Sequence, residues 1–91
     1  MIEKNKIFRN YKANIAYGGN FSADTLILNN RIFQSRSEGI FAIECGFSWI
    51  KHNDIYDNSD GIVLFDSSTH ISNNYIRENQ RSGIIASGSS F

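Results

Sequence analysis

The sequence predicts an all-β fold, a right-handed parallel β-helix (a solenoid) of about four coils. Three observations predict it. A motif of the form I-x-x-N-x-I-x-x-N starts at Ile2, Ile27, Ile50 and Ile71, with Ser35 replacing the last Asn in the second copy. A second anchor follows each copy, as Asn14-Ile15, Gly39-Ile40, Gly61-Ile62 and Gly83-Ile84. The chain also holds fourteen Ile, eleven Asn and seven Gly in 91 residues, and no Pro. Ile favours strands, whereas Asn and Gly favour tight corners, so this is the composition of short strands joined by turns.

Each element follows from the spacing. Side chains alternate along a strand, and strict alternation from Ile2 would put Asn5 and Ile7 on the face opposite Ile2. A corner must therefore fall near Asn5. The same holds at Asn30, Asn53 and Asn74, where a left-handed Asn is expected to hydrogen-bond its equivalent one coil away, giving a structural ladder of Asn5, Asn30, Asn53 and Asn74. Three strands per coil result: one ending before the ladder, one centred on Ile7, Ile32, Ile55 or Ile76, and one entered at Ile15, Ile40, Ile62 or Ile84. The anchor residues before this third strand, Asn14 and the three glycines, are read as tolerating positive φ. A single module spans 1–91, with coils of approximately 2–26, 27–49, 50–70 and 71–91. Ankyrin or leucine-rich repeats have a similar length, but helices would carry fewer Asn, Gly and β-branched residues. A left-handed β-helix would need a six-residue period, which is not present.

The motif N-x-I-x-x-N-x-x-x-G-I resembles the parallel β-helix repeats of the pectin-lyase-like superfamily. It is most similar to those of copper-maturation periplasmic proteins, polysaccharide epimerases and F-box β-helix proteins. The resemblance covers nearly the whole chain and speaks to fold more than to function, since this architecture hosts lyases, hydrolases, epimerases, tailspikes and recognition modules. It implies that an enzyme would carry clustered acidic residues in a groove along one sheet, sometimes with calcium, and a basic proton acceptor. An epimerase-type Asp-Pro-His motif is excluded by the lack of Pro. No Arg or Lys is placed as a lyase base beside paired Asp.

Composition narrows the partners. Nine basic and nine acidic residues cancel, so no long-range field draws in nucleic acid or an anionic membrane, and neither is expected as a partner. No apolar run approaches the roughly 18 residues that span a bilayer, and the first residues lack the apolar stretch of a secretory signal. Cys45 is the single cysteine and reads as a small buried thiol, which leans toward a reducing, cytoplasmic setting while leaving the compartment open. Asn20, Phe21 and Ser22 form a sequon, relevant only to a secreted parent.

Two outward surfaces stand out as candidate sites. On the third strand, alternation leaves Phe41, Ile43, Val63, Phe65 and Ile85 outside, a candidate partner face of about six large apolar side chains unless the alternation slips in some coils. On the second strand, Phe8, Phe33 and Tyr56 form an aromatic stripe flanked by Lys6, Arg31, Asp54, Tyr75 and Arg77, suited to a glycan, to a protein, or simply to packing along the ladder. Asp54, Asp57, Asp60 and Asp66, with Glu38, Glu44 and His70, fall at different corners, and His52 precedes a ladder Asn. No catalytic residue, metal or cofactor is assigned.

The leading expectation is a non-catalytic module for protein recognition or scaffolding within a larger protein or assembly. Its occupant would be a protein partner or the remaining segments of a longer chain, because both ends of the repeat array lack caps and the β-helix is expected to continue. The alternatives are a fragment of a carbohydrate-binding or polysaccharide-modifying protein and a structural spacer in a fibre or tailspike.

Overall fold

The computed structural model describes residues 1–18, 25–44 and 47–87. The sequon, Cys45, the loop residues Gly19 and Gly46, and the terminal Ser90 and Phe91 lie outside the described residues. Twelve short strands make up the ordered elements among them, four sets of three. The first coil contains β1 (Ile2–Glu3), β2 (Lys6–Phe8) and β3 (Ile15–Gly18), and the second β4 (Thr25–Leu28), β5 (Arg31–Phe33) and β6 (Glu38–Ile43). The third coil holds β7 (Phe47–Lys51), β8 (Asp54–Tyr56) and β9 (Asp60–Phe65), and the fourth β10 (Ser68–Ser72), β11 (Tyr75–Arg77) and β12 (Ser82–Ser87).

Every third strand pairs in parallel, giving three sheets of order β1-β4-β7-β10, β2-β5-β8-β11 and β3-β6-β9-β12. The predicted fold class is the observed one. Strands β4, β7 and β10 begin at Thr25, Phe47 and Ser68, slightly ahead of Ile27, Ile50 and Ile71, so coils taken from corner to corner start earlier than the motif divides them.

Register aligns the isoleucines into three columns. Ile2, Ile27, Ile50 and Ile71 pair through the first sheet. Ile7, Ile32, Ile55 and Ile76 pair through the second, and Ile15, Ile40, Ile62 and Ile84 through the third. Ile27, Ile32, Ile40, Ile50, Ile55 and Ile62 are fully buried. Burying each such side chain stabilises the fold by about 1.5–3 kcal/mol, and identical branched side chains in register stack on one another at the coil spacing. The interior also takes polar groups where they can pair. Tyr17 donates its hydroxyl hydrogen to Ser48 Oγ at 3.1 Å, and Ser48 Oγ lies 2.8 Å from Thr69 Oγ1.

The first-corner ladder forms as the spacing predicts. Asn30 Nδ2 donates to Asn53 Oδ1 at 3.0 Å and Asn53 Nδ2 to Asn74 Oδ1 at 3.0 Å, while the Asn5 rung is longer at 3.4 Å. Each Oδ1 also accepts the backbone N–H of the preceding rung, as Asn53 Oδ1 does from Asn30 at 2.9 Å. Each interior Nδ2 reaches a carbonyl of the coil before, as Asn53 does to Ile27 O at 3.0 Å. The left-handed residue, however, is the one before the ladder Asn. Lys4, Asn29, His52 and Asn73 have φ of 59°, 56°, 55° and 54°. The ladder Asn itself is not left-handed, and its amide lies between coils. A second corner repeats the device with Arg9, Gln34, Asp57 and Glu78 at φ 60°, 58°, 55° and 53°. A third carries Glu44 and Asp66, both at φ 50°.

None of the anchor glycines adopts positive φ, and Gly39 and Gly61 are required for space. A Cβ on Gly39 would come within 2.9 Å of Asn58 Nδ2 and 2.7 Å of Gly61 O, and one on Gly61 within 3.0 Å of Asn79 Nδ2. Both amides belong to the second-corner ladder, where Asn58 Nδ2 donates to Asn79 Oδ1 at 3.1 Å. This explains the one departure from the pattern. In the second coil the rung is Ser35, which has no amide to collide with, and there the anchor one coil earlier is Asn14. The Asn14 carboxamide occupies the missing rung: its Oδ1 accepts from Asn10 Nδ2 at 2.7 Å, and its Nδ2 donates to Asn58 Oδ1 at 3.3 Å and Phe33 O at 3.0 Å. Two changes from the consensus thus compensate each other across adjacent coils.

Two outcomes follow for unfolding in urea. Asn53→Ala strands the Asn30 donors and the Ile27 carbonyl in the buried corner and is expected to lower stability by about 3 kcal/mol, since each unsatisfied buried group costs roughly 1–3 kcal/mol. Ser35→Asn alone forces two carboxamides into one space and should destabilise by about 1–3 kcal/mol. Adding Asn14→Gly should recover most of that loss, a coupling of at least about 1 kcal/mol in the double-mutant cycle.

Candidate functional site

Rigid coils present three outward faces, and what each can do depends on which side chains the register aligns. On the third sheet the register is continuous without slippage. Phe41, Val63 and Ile85 form one row, and Ile43, Phe65 and Ser87 the next. The five residues expected to form a partner face therefore do share one surface. Their exposure is smaller than alternation alone suggests. Val63, flanked in register by Phe41 and Ile85, is only 5 % exposed, and those two neighbours are half-buried. Phe65 meets Phe41 edge-on at 5.8 Å between ring centroids. The open apolar surface reduces to Ile43 and Phe65, 41 % and 38 % exposed and adjacent in register. The expectation of about six exposed apolar side chains is corrected accordingly: outward side chains one coil apart cover one another.

On the second sheet, Phe8, Phe33 and Tyr56 stack face to face. Centroids are 4.8 and 4.9 Å apart, with planes within 4° and 2° of parallel. Parallel pairing imposes this, because equivalent side chains leave the sheet in the same direction at the coil spacing. Arg77, one coil beyond Tyr56, closes the column with its guanidinium carbon 4.1 Å from the Tyr56 centroid. Its Nε and Nη2 each donate to the Asp54 carboxylate at 3.1 Å. That bond is the main cause holding the Arg77 guanidinium above its ordinary pKa, with burial working in the opposite direction. Arg31 donates to the Tyr56 hydroxyl at 3.0 Å. The inner ring faces are thus occupied by one another and by a cation, and mainly ring edges meet solvent.

A family model for the right-handed beta helix region matches residues 1–91. The chain belongs to the right-handed β-helix family. No curated protein and no solved structure matched this β-helix.

The first sheet of the β-helix carries a feature that the sequence reading missed. Leu26, Trp49 and His70 align in one row. Trp49 and His70 stack at 5.8 Å with a 12° interplanar angle, and Phe47, 59 % exposed, lies 6.4 Å from Trp49. The signal was present in the alternation Phe47, Trp49, Lys51 around buried Ser48 and Ile50. Interior serine made the strand look polar on the wrong face.

Several carboxylates and His52 take places in the coil architecture. Asp60 is buried and accepts the Ser82 backbone N–H at 3.2 Å. Glu38 accepts from Ser37 Oγ at 2.6 Å. Asp57, Asp66, Glu44 and His52 occupy left-handed corner positions. Among the described residues no three His, Cys, Asp or Glu side chains converge, and no helix there is long and apolar enough to cross a membrane. For the aromatic column, Phe33→Ala opens a gap between Phe8 and Tyr56, and thermal or urea unfolding should show a loss of about 2–4 kcal/mol.

Proposed function

We propose that this chain is a non-catalytic β-helix module that recognises a protein partner, or scaffolds an assembly, through the outward face of its third sheet. The observation that carries the reading is the pair Ile43 and Phe65. They stand exposed side by side on adjacent coils, with Phe65 braced against Phe41. An aromatic side chain already fixed by its neighbours loses little conformational entropy on docking, which suits it as an interface anchor.

The carboxylates weigh the same way. Asp54 is engaged by Arg77, Asp60 by the Ser82 backbone, and Glu38 by Ser37, so each has a place in the coil architecture. A glycan stacking on Phe8, Phe33 and Tyr56 would have to part rings that already pack on one another.

The test is site-specific photo-cross-linking in cells. With p-benzoylphenylalanine replacing Phe65, a discrete protein adduct is expected that is lost when Ile43→Lys is added. The same cross-linker at exposed Asn73 serves as the reference. Adducts no stronger than at Asn73, together with a glycan-array signal lost in Phe33→Leu, would overturn the protein-recognition reading in favour of a polysaccharide ligand.

A further inference from the structure

At the first two coils, the second corner brings together two arginines, Arg9 and Arg36. Its left-handed column runs Arg9, Gln34, Asp57, Glu78, so it is basic at the first coil, neutral at the second and acidic at the last two. Beside it lies a cleft of about 430 Å³ lined by Arg9, Asn10, Tyr11, Gln34 and Arg36. Arg9 Nε donates to Gln34 Oε1 at 3.1 Å. That bond orients the guanidinium, occupies the glutamine's acceptor, and leaves the two Nη groups of Arg9 and the Nε2 of Gln34 as donors. Arg36 is placed by its own backbone, which donates to Asn10 O at 3.1 Å, and its guanidinium carbon sits 5.4 Å from the Tyr11 centroid. Among the described residues the ion pairs are those of Arg77, so neither Arg9 nor Arg36 faces a carboxylate at ion-pair distance.

Two guanidinium groups, contributed by adjacent coils and lining one cleft with a further amide donor, are complementary to a compact dianion. A guanidinium fork matches the oxygens of such a group, and two positive charges are neutralised by two negative ones. We propose that this cleft binds a phosphate or sulfate group, independently of the third-sheet face.

The experiment is an NMR titration of the full ¹⁵N-labelled chain at pH 7.5, reading the Arg Nε–Hε and Gln34 side-chain amide signals. The probes are inorganic phosphate, sulfate, glycerol 2-phosphate and acetate, with chloride at matched ionic strength. Phosphate and sulfate should shift the Arg9, Arg36 and Gln34 signals saturably, and acetate should bind about tenfold or more weakly. Arg9→Gln and Arg36→Gln should each weaken phosphate binding roughly tenfold while leaving the rest of the spectrum in place. Gln already occupies the same left-handed position at Gln34, so Arg9→Gln is compatible with the corner. Arg9→Lys keeps the charge, removes the fork and should give an intermediate loss. Binding of inorganic phosphate alone would identify a free ion as the ligand, and equal binding of glycerol 2-phosphate a phosphate ester; both support the site. Shifts that are linear, or equally produced by chloride or acetate, or unchanged in the arginine variants, would overturn it.

Discussion

A solenoid of L-residues must turn several corners in every coil, and each turn sends backbone through a conformation that most side chains resist. In this chain the resistance is met at the first two corners by one recurring interaction, a carboxamide that bridges coils immediately after a left-handed residue, with Asn14 supplying it where Ser35 stands. The side chain does three things at once. It accepts the backbone N–H of the previous rung, donates to the next amide, and reaches back to the carbonyl left over by the strand before it. With the corner fixed, the strands leave it in register, the isoleucine columns fall into line, and outward side chains are held in rows. The aromatic column and the apolar row on the third sheet both inherit their geometry from those amides.

The fold was legible because its main determinant repeats. Ile at two fixed offsets around an Asn, four times over, defines two sheets and a corner, and the anchor Ile defines the third sheet. What the sequence hid was the division of labour at the corner. Asn tolerates left-handed backbone better than most residues, so the invariant Asn looks like the residue that adopts it, whereas the flanking position, filled by Lys, Asn, His and Asn, does so. The preceding residue can vary because its side chain points to solvent, while the amide is buried and cannot change. Similarly, Gly before the anchor Ile looks like a demand on φ, and at Gly39 and Gly61 it is a demand on volume.

Surfaces were less legible than the core. Alternation correctly sorts side chains to the outside, but it says nothing about lateral cover, and in a parallel stack each outward residue has neighbours above and below at one coil spacing. Val63 is buried for that reason even though it points away from the core, and the stacked rings on the second sheet hide their faces in the same way. Trp49 and Phe47 escaped notice because the inward position between them is Ser48, whose hydroxyl is satisfied by Tyr17 and Thr69 inside the solenoid. A polar residue can face inward wherever a stack supplies it with partners, which weakens any rule equating inward with apolar.

The paired departure at Asn14 and Ser35 bears on how such arrays can change. A coil looks like a module that gene duplication could copy or recombination could exchange. Yet the first coil carries a carboxamide that fits only beneath a coil with a short side chain at the second corner. Copied beneath the third coil, it would press on the amide of Asn58, as a side chain on Gly39 would. The first two coils can therefore move only together, and the unit of rearrangement in this solenoid is larger than the unit of repetition.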